Sequence, residues 1–301
     1  MNIAITGATG FIGTSLTHHL LRAGHKVTVV VRPNSVLTAQ QVTVVRVNDI
    51  AELLPGAFKG IEMVIHGAGI AHARASPADF ARVNVRGARA VCDACSNAGV
   101  RRLVFLSSVK VNGETTLEPL IPASPTAPED SYGRSKLEAE QILAAGRAEC
   151  VILRLPLVYG RGAPANFAAL VRLVRLGVPL PFGGVAAKRS YLALDNLVDF
   201  VDATLAWQAP PGQVFYVSDP ESLCLPELLA EMGRAMGRPV RLFAVSPALL
   251  KVLVSAVVGK TRARKLLGSL EVDTVETRKL TGWSPPHSTA QALQRMFGHS
   301  G

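Results

Sequence analysis

The heptapeptide Gly7-Ala8-Thr9-Gly10-Phe11-Ile12-Gly13 follows directly on an apolar run, residues 2–6. It opens a helical pattern that runs from Phe11 to Ala23 and is ended by Gly24. A run that is apolar at nearly every position is a strand buried on both faces, and a glycine just past the last periodic residue stops a helix. At such a strand–helix junction the three glycines have separate tasks. Gly7 makes the tight turn, Gly10 lets backbone approach a pyrophosphate, and Gly13 lets helix and sheet pack closely. The helix N-terminus adds unpaired N–H groups and the positive end of its dipole. Gly7, Thr9, Gly10, Phe11, Ile12 and Gly13 are therefore candidate contacts of a dinucleotide; the alternative is a turn that is purely structural.

Working outward, the same buried-strand signature recurs at residues 27–31, 42–47, 63–66, 103–106 and 151–153, and helical patterns separate most of these runs, notably 77–97 and 132–145. Strand, helix, strand at this rhythm implies right-handed crossovers and a doubly wound, parallel α/β (Rossmann) sheet. After about residue 160 the character changes. Loop-rich stretches at 160–164 and 179–184 alternate with helices expected at 166–176, 195–206, 226–236 and 247–258, and with a short strand at 214–217. The expected division is residues 1–160 as the dinucleotide-binding domain and 161–301 as a smaller, mostly helical substrate lobe, some segments returning to the sheet. That lobe is read as the second wall of a cleft. The very apolar 249–258 reads as a buried or groove-lining helix.

Composition bounds the class. With 301 residues, 49% apolar and 18% charged, the chain carries ample core and is not disordered. No apolar run reaches the roughly 18 residues of a membrane helix, and the first residues lack the basic region of a signal peptide, so the expected compartment is the cytoplasm. Four cysteines (Cys92, Cys95, Cys150, Cys224) are too few for a disulfide scaffold of this size. Cys92 and Cys95 have no second pair or suitably spaced histidine, which makes them core residues rather than metal ligands. The net charge of +10 favours anionic partners. The basic residues are scattered, densest at Lys260-Arg262-Arg264-Lys265, and no basic block is interleaved with aromatics, so nucleic acid is not expected.

Two further positions concern the cofactor. Arg32 ends the second strand where an acidic residue would bind the ribose hydroxyls, which favours NADP(H) and leaves NAD(H) possible. Asp49 and Ile50, after the third strand, are candidates to cover the adenine. For the chemistry, Tyr132 and Lys136 stand four residues apart on one helix face. An ammonium close to a phenol lowers its pKa from about 10 towards neutrality. Ser107-Ser108 ends the strand 103–106 at the carboxyl edge, where open α/β sheets bind ligands, and Ser108 can hold a substrate oxygen beside the phenol.

With these motifs the chain resembles the extended short-chain dehydrogenase/reductase family of nucleotide-sugar epimerases, dehydratases and reductases. The likeness also rests on His66-Gly67-Ala68-Gly69, Asn84 in Val83-Asn84-Val85, and Leu155-Pro156-Leu157-Val158-Tyr159-Gly160. More narrowly, Ser107–Glu114, Arg189-Ser190 and Leu194-Asp195-Asn196-Leu197 look like bacterial O-antigen enzymes acting on UDP-linked N-acetylated 6-deoxy sugars, typically 4-keto reductases making UDP-N-acetyl-quinovosamine or UDP-N-acetyl-fucosamine. The resemblance implies a catalytic triad of Ser108, Tyr132 and Lys136. It further implies cofactor contacts at Ala68, Gly69, Asn84, Leu155 and Pro156 and at Tyr132 and Lys136, the lysine also holding the nicotinamide ribose, substrate contacts at Ser108, Lys110, Asn166, Phe182 and Arg189, and a homodimer. The Asp-Glu pair with which the family's dehydratases eliminate water is replaced here by Val109 and Lys110, which argues against dehydration. Asn112 stands where many epimerases carry tyrosine.

The function expected from all this is reduction of the C4 ketone of a UDP-4-keto-6-deoxy-N-acetylhexosamine with NADPH. A UDP-hexose or UDP-N-acetylhexosamine 4-epimerase with retained NAD is the alternative. A non-catalytic NADP(H)-binding protein is disfavoured because Tyr132 and Lys136 are both intact, and a reductase of small ketones is disfavoured by Asn166 and Arg189.

Overall fold

The computed structural model describes residues 1–71, 75–207, 212–259, 263 and 267–298. In chain order the elements are β1 (Asn2–Thr6), α1 (Phe11–Arg22), β2 (Lys26–Val31), β3 (Val42–Arg46), β4 (Met63–His66), α2 (Pro77–Phe80), a π-helical stretch (Ala81–Arg86), α3 (Gly87–Ala98), β5 (Arg102–Ser108), α4 (Ser131–Ala144), β6 (Glu149–Leu155), β7 (Leu157–Tyr159), α5 (Ala165–Leu176), β8 (Lys188–Ala193), α6 (Leu194–Ala203), β9 (Gln213–Tyr216), β10 (Ser222–Cys224), α7 (Leu225–Ala235), α8 (Pro247–Val258), α9 (Val275–Thr281) and α10 (Thr289–Phe297). The chain forms two compact units. One comprises Met1–Gly113, Pro122–Leu155 and Phe200–Tyr216; the other Glu114–Ile121, Pro156–Asp199 and Val217–Gly301.

In the first unit seven parallel strands lie in the order β3-β2-β1-β4-β5-β6-β9. This is the expected doubly wound sheet. The central strands are apolar because helices cover both faces. Val64, Leu103, Phe105 and Ile152 pack with Val91, Cys92 and Cys95 of α3 and with Ala139, Ile142 and Leu143 of α4. Full burial of each such aliphatic or aromatic side chain stabilises the fold by about 1.5–3 kcal/mol. Cys95 belongs to this core, and burial pushes its thiol up to about 12. One expectation needs correction: β3 is an edge strand with an exposed face, although its β-branched run reads like the buried ones. The single stretch 77–97 is resolved into α2, the π-helical stretch and α3 without a break.

β9 reaches the far edge of this sheet, and the segment after α6 is tied to it by Arg102. That guanidinium is fully buried, pairs with Glu149 at 2.8 Å, and donates to the carbonyls of Thr204 and Trp207. The second unit contains helices but also a sheet, β10-β8-β7, with β8 parallel to β7 and antiparallel to β10. These three- to six-residue strands lack the buried-strand signature and were not expected. Its polar hub is Asp219, which accepts from the Ala193 N–H (2.8 Å), Asn196 Nδ2 (2.7 Å), Tyr159 Oη (2.6 Å) and Thr289 Oγ1 (3.2 Å).

Candidate active site

The sheet order places the topological switch between β1 and β4, where ligands of open α/β sheets bind. Two loops meet there. A Cβ on Gly7, which has φ +75°, would lie 2.7 Å from both Gly67 C and Ala68 N; a Cβ on Gly13 would lie 2.1 Å from Gly7 O. These glycines are therefore required by close backbone approach. Gly10 is the N-cap of α1 and offers no side-chain cap, so the first N–H groups of that helix are left for an anion. This geometry fits the pyrophosphate of a dinucleotide on Gly7, Thr9, Gly10, Phe11, Ile12 and Gly13. Thr6 braces the second loop: its Oγ1 accepts from the Ala68 N–H (3.2 Å) and its hydroxyl bonds His66 Nδ1 at 2.7 Å. Burial and the nearby Lys136 hold His66 neutral, with its pKa down at about 3.

At the adenosine end, Arg32 is exposed and lines a concavity of about 470 Å³ with Pro33, Asn34, Ser35 and Asn48. Arg46 donates to the Pro33 carbonyl at 2.6 Å, bracing this loop with a second cation. Asp49 is engaged locally: it accepts from the Ala51 N–H at 3.0 Å and pairs with Arg82. Ile50 is buried against Gly87, where a Cβ would meet its Cγ2 at 2.6 Å, so its place is in the core.

Asn84 sits on the π-helical stretch, buried, with its whole amide in use. Its Oδ1 accepts from the Ile70 N–H (2.9 Å), and its Nδ2 donates to Ile70 O (3.1 Å) and Ser135 Oγ (2.9 Å). It thereby couples the loop carrying Ala68 and Gly69 to α4. Asp130 caps α4, accepting from the Gly133 N–H at 2.7 Å, and Gly133 lets α4 approach the Lys110 carbonyl, 2.5 Å from where a Cβ would be.

Ser108 ends β5, and Tyr132 and Lys136 stand one helical turn apart at the start of α4. Tyr132 and Ser108 share a hydrogen bond. The expected effect of Lys136 on the phenol is corrected. The pKa of Tyr132 lies above its ordinary value, because burial outweighs the Ser108 bond and the charge of Lys110. Lys110 stands 5.7 Å from the centre of the Tyr132 ring and pairs with Asp130 at 2.9 Å. Lys136 instead donates to Leu106 O at 2.6 Å and lies over the Phe105 ring at 4.1 Å. Burial lowers its pKa to about 7, against the opposing pull of Glu140. Chemically, the phenol is a proton donor at neutral pH, and the Lys136 amine, one helical turn on, readily exchanges a proton there.

Leu155 and Pro156 are buried at the end of β6. In the second unit, Arg189 donates to Gly268 O at 2.7 Å and burial lowers its pKa. Phe182 is half-buried in the turn after residue 180. The side chain of Asn166 lies outside the described residues.

Sequence reading missed the support beneath the triad. Glu140, one turn beyond Lys136, accepts from Ser107 Oγ and from Arg154 Nη2 (2.8 Å) and Nε (3.2 Å). Tyr216 Oη donates to Asn112 Oδ1 at 2.8 Å and lies 3.2 Å from Arg154 Nη1, which donates to it. The i, i+4 spacing of Lys136 and Glu140 was the available signal.

The profile of the NAD dependent epimerase/dehydratase family matches residues 3–218. A UDP-glucose 4-epimerase of Vibrio cholerae is 37% identical, covering 98% of this chain and 93% of its own. An undecaprenol-diphosphate-linked N-acetylglucosamine 4-epimerase of Escherichia coli O157:H7 is 24% identical over the same shares. The enzyme WbmG of Bordetella bronchiseptica, solved with NAD and UDP, superposes with a TM-score of 0.79 at 24% identity, covering 98% of this chain and 93% of that one. Glycine turn, switch-point loops and the Ser108–Tyr132–Lys136 cluster thus agree with a match that spans most of the chain, which belongs to the NAD dependent epimerase/dehydratase family as an enzyme of the extended short-chain dehydrogenase/reductase type.

Proposed function

We propose that the chain is an NADPH-consuming reductase of the C4 ketone in a UDP-linked 4-keto-6-deoxy-N-acetylhexosamine, a cytoplasmic step towards a surface polysaccharide. The observation that carries this reading is the cationic loop after β2. Arg32, Asn34, Ser35 and Asn48 line its concavity without a carboxylate, and such a surface accepts a 2′-phosphate and suits a cofactor that exchanges at each turnover.

A reduced nicotinamide, when bound, would supply the hydride that C4 receives. Ser108 holds the carbonyl oxygen, Tyr132 gives its phenolic proton to that oxygen as the C=O bond becomes C–O–H, and Lys136 returns a proton to the phenolate. Val109 and Lys110, in place of an acid/base pair, support reduction over elimination. The uridine diphosphate is assigned to Asn166, Phe182 and Arg189, an arginine being the side chain that grips a diphosphate bidentately. A second reading, UDP-hexose 4-epimerase with retained NAD, is favoured by the activity named for the Vibrio cholerae relative.

Absorbance at 340 nm separates the two. The reductase consumes one NADPH per 4-keto sugar, whereas the epimerase converts a UDP-hexose with no net change. The cofactor assignment has its own test: Arg32→Glu should shift the NADPH/NADH ratio of kcat/KM at least tenfold towards NADH. An unchanged ratio overturns it.

A further inference from the structure

Most of the net charge is gathered in one stretch of the second unit. Between Met232 and Leu270 the sequence has eight Lys and Arg and no Asp or Glu, against a whole-chain net of +10. In the middle of this stretch lies α8, whose helical spacing sorts it into two faces. Leu250 and Val254 point inward and are buried. The face opposite should be polar on a water-exposed helix, and it is not. Leu249 is 49% exposed, Val252 65%, and Ala256 is exposed beside them, at the spacing i, i+3, i+7; Phe243, before the helix, is 47% exposed. Of the two sequence expectations for this stretch, a buried or a groove-lining helix, full burial does not hold. Lys251 and Arg241 are exposed at the margins, and Lys260-Thr261-Arg262-Ala263-Arg264-Lys265 follows in sequence.

We propose that α8, with Lys251 and Arg241 at its margins, forms a docking surface for an anionic lipid bilayer, with the helix lying in the plane of the headgroups. An apolar stripe bordered by cations, with carboxylates excluded over the whole stretch, is complementary to a surface that is oily beneath and negative above. Nucleic acid matches the charge but leaves the apolar stripe in water. At twelve residues the helix is about 18 Å long, too short to cross a bilayer. None of the described helices is long and apolar enough to do so. Lys251 keeps its ammonium in the headgroup layer while its stem lies along the apolar face.

The test is vesicle co-sedimentation of the full-length protein, which reads partitioning rather than turnover and so stands apart from the reductase reading. Phosphatidylcholine vesicles containing 30% phosphatidylglycerol should bind at least tenfold more protein than pure phosphatidylcholine. Raising NaCl from about 0.1 to 0.5 M, which shortens the screening length well below 10 Å, should remove most of that binding. Leu249→Asp/Val252→Asp should lower partitioning at least tenfold with unchanged circular dichroism and unchanged dinucleotide affinity. Leu249→Ser/Val252→Ser serves if the aspartates unfold the helix. Three results overturn the proposal: equal binding to both vesicle types, anionic binding indifferent to Leu249 and Val252, or a change of oligomeric state in those variants without vesicles, which would make a second copy of the chain the occupant.

Discussion

Replacing Tyr132 by Phe is expected to lower kcat for ketone reduction about 10³-fold while leaving the dissociation constant of the dinucleotide within twofold. The hydroxyl bonds Ser108, so its removal takes away both the proton source and one partner of the group that holds the substrate oxygen. A positioned general acid is worth roughly 10²–10⁴ in rate. The ring remains, and with it the contact to Phe80, centroids 6.1 Å apart, so the fold and the phosphate turn around Gly7–Gly13 are untouched. Steady-state rates at 340 nm, with cofactor affinity from nicotinamide fluorescence, measure the two quantities separately. Retained turnover removes Tyr132 from the chemistry. A matching loss of dinucleotide affinity makes it a structural residue. The direction of its pKa shift adds a second expectation: because burial raises the phenol, Tyr132 stays protonated through neutral pH, and the alkaline fall of the rate should follow Lys136, whose pKa burial lowers to about 7.

How much of this was legible in the sequence follows from the kind of signal each part leaves. The parallel sheet was readable because the middles of β1, β4 and β5 are buried on both faces and so run apolar without alternation, at Ile3–Ile5, Met63–Ile65 and Leu103–Leu106. The phosphate turn was readable because only glycine tolerates an approach such as that of Gly13 to Gly7 O. Ser108, Tyr132 and Lys136 carry chemistry in their residue types and spacing. What stayed hidden depends on contacts distant in sequence. β7, β8 and β10 are held by pairings such as Leu157 with Tyr191 and Leu223 with Arg189, and nothing local in them alternates. Leu194-Asp195-Asn196-Leu197 could be recognised as a motif, yet the reason for Asn196 lies in Asp219 and in His287, whose carbonyl it bonds at 2.8 Å. Tyr132 shows the limit most sharply. Helical spacing puts Lys136 on the same face, but it does not reveal that burial dominates the phenol or that the ammonium bonds Leu106 O.

The buried carboxylate under the triad has the largest expected effect on stability. Glu140→Gln should cost about 3–5 kcal/mol, the usual result of removing one partner of a buried pair and leaving the other uncompensated. Arg154 is nearly inaccessible and its guanidinium pKa is raised, the bonds and charge of Glu140 overcoming the effect of burial. It cannot discharge to escape. Glu140→Gln/Arg154→Met should recover most of the loss, since it removes the orphaned charge along with the bond. Urea unfolding of the single and double variants measures this, and a single variant within 1 kcal/mol of the parent would show that water reaches the pair. The same substitution acts on Lys136. The folded ammonium titrates at about 7 against 10.5 unfolded, so between those values the unfolded chain binds more protons and stability rises with pH. Glu140 is the charge that holds the folded value up. Without it the lower edge of that window should move below 7, and the alkaline limb of kcat/KM set by Lys136 should move the same way. A purely structural Glu140 would lower stability and leave the pH profile where it was.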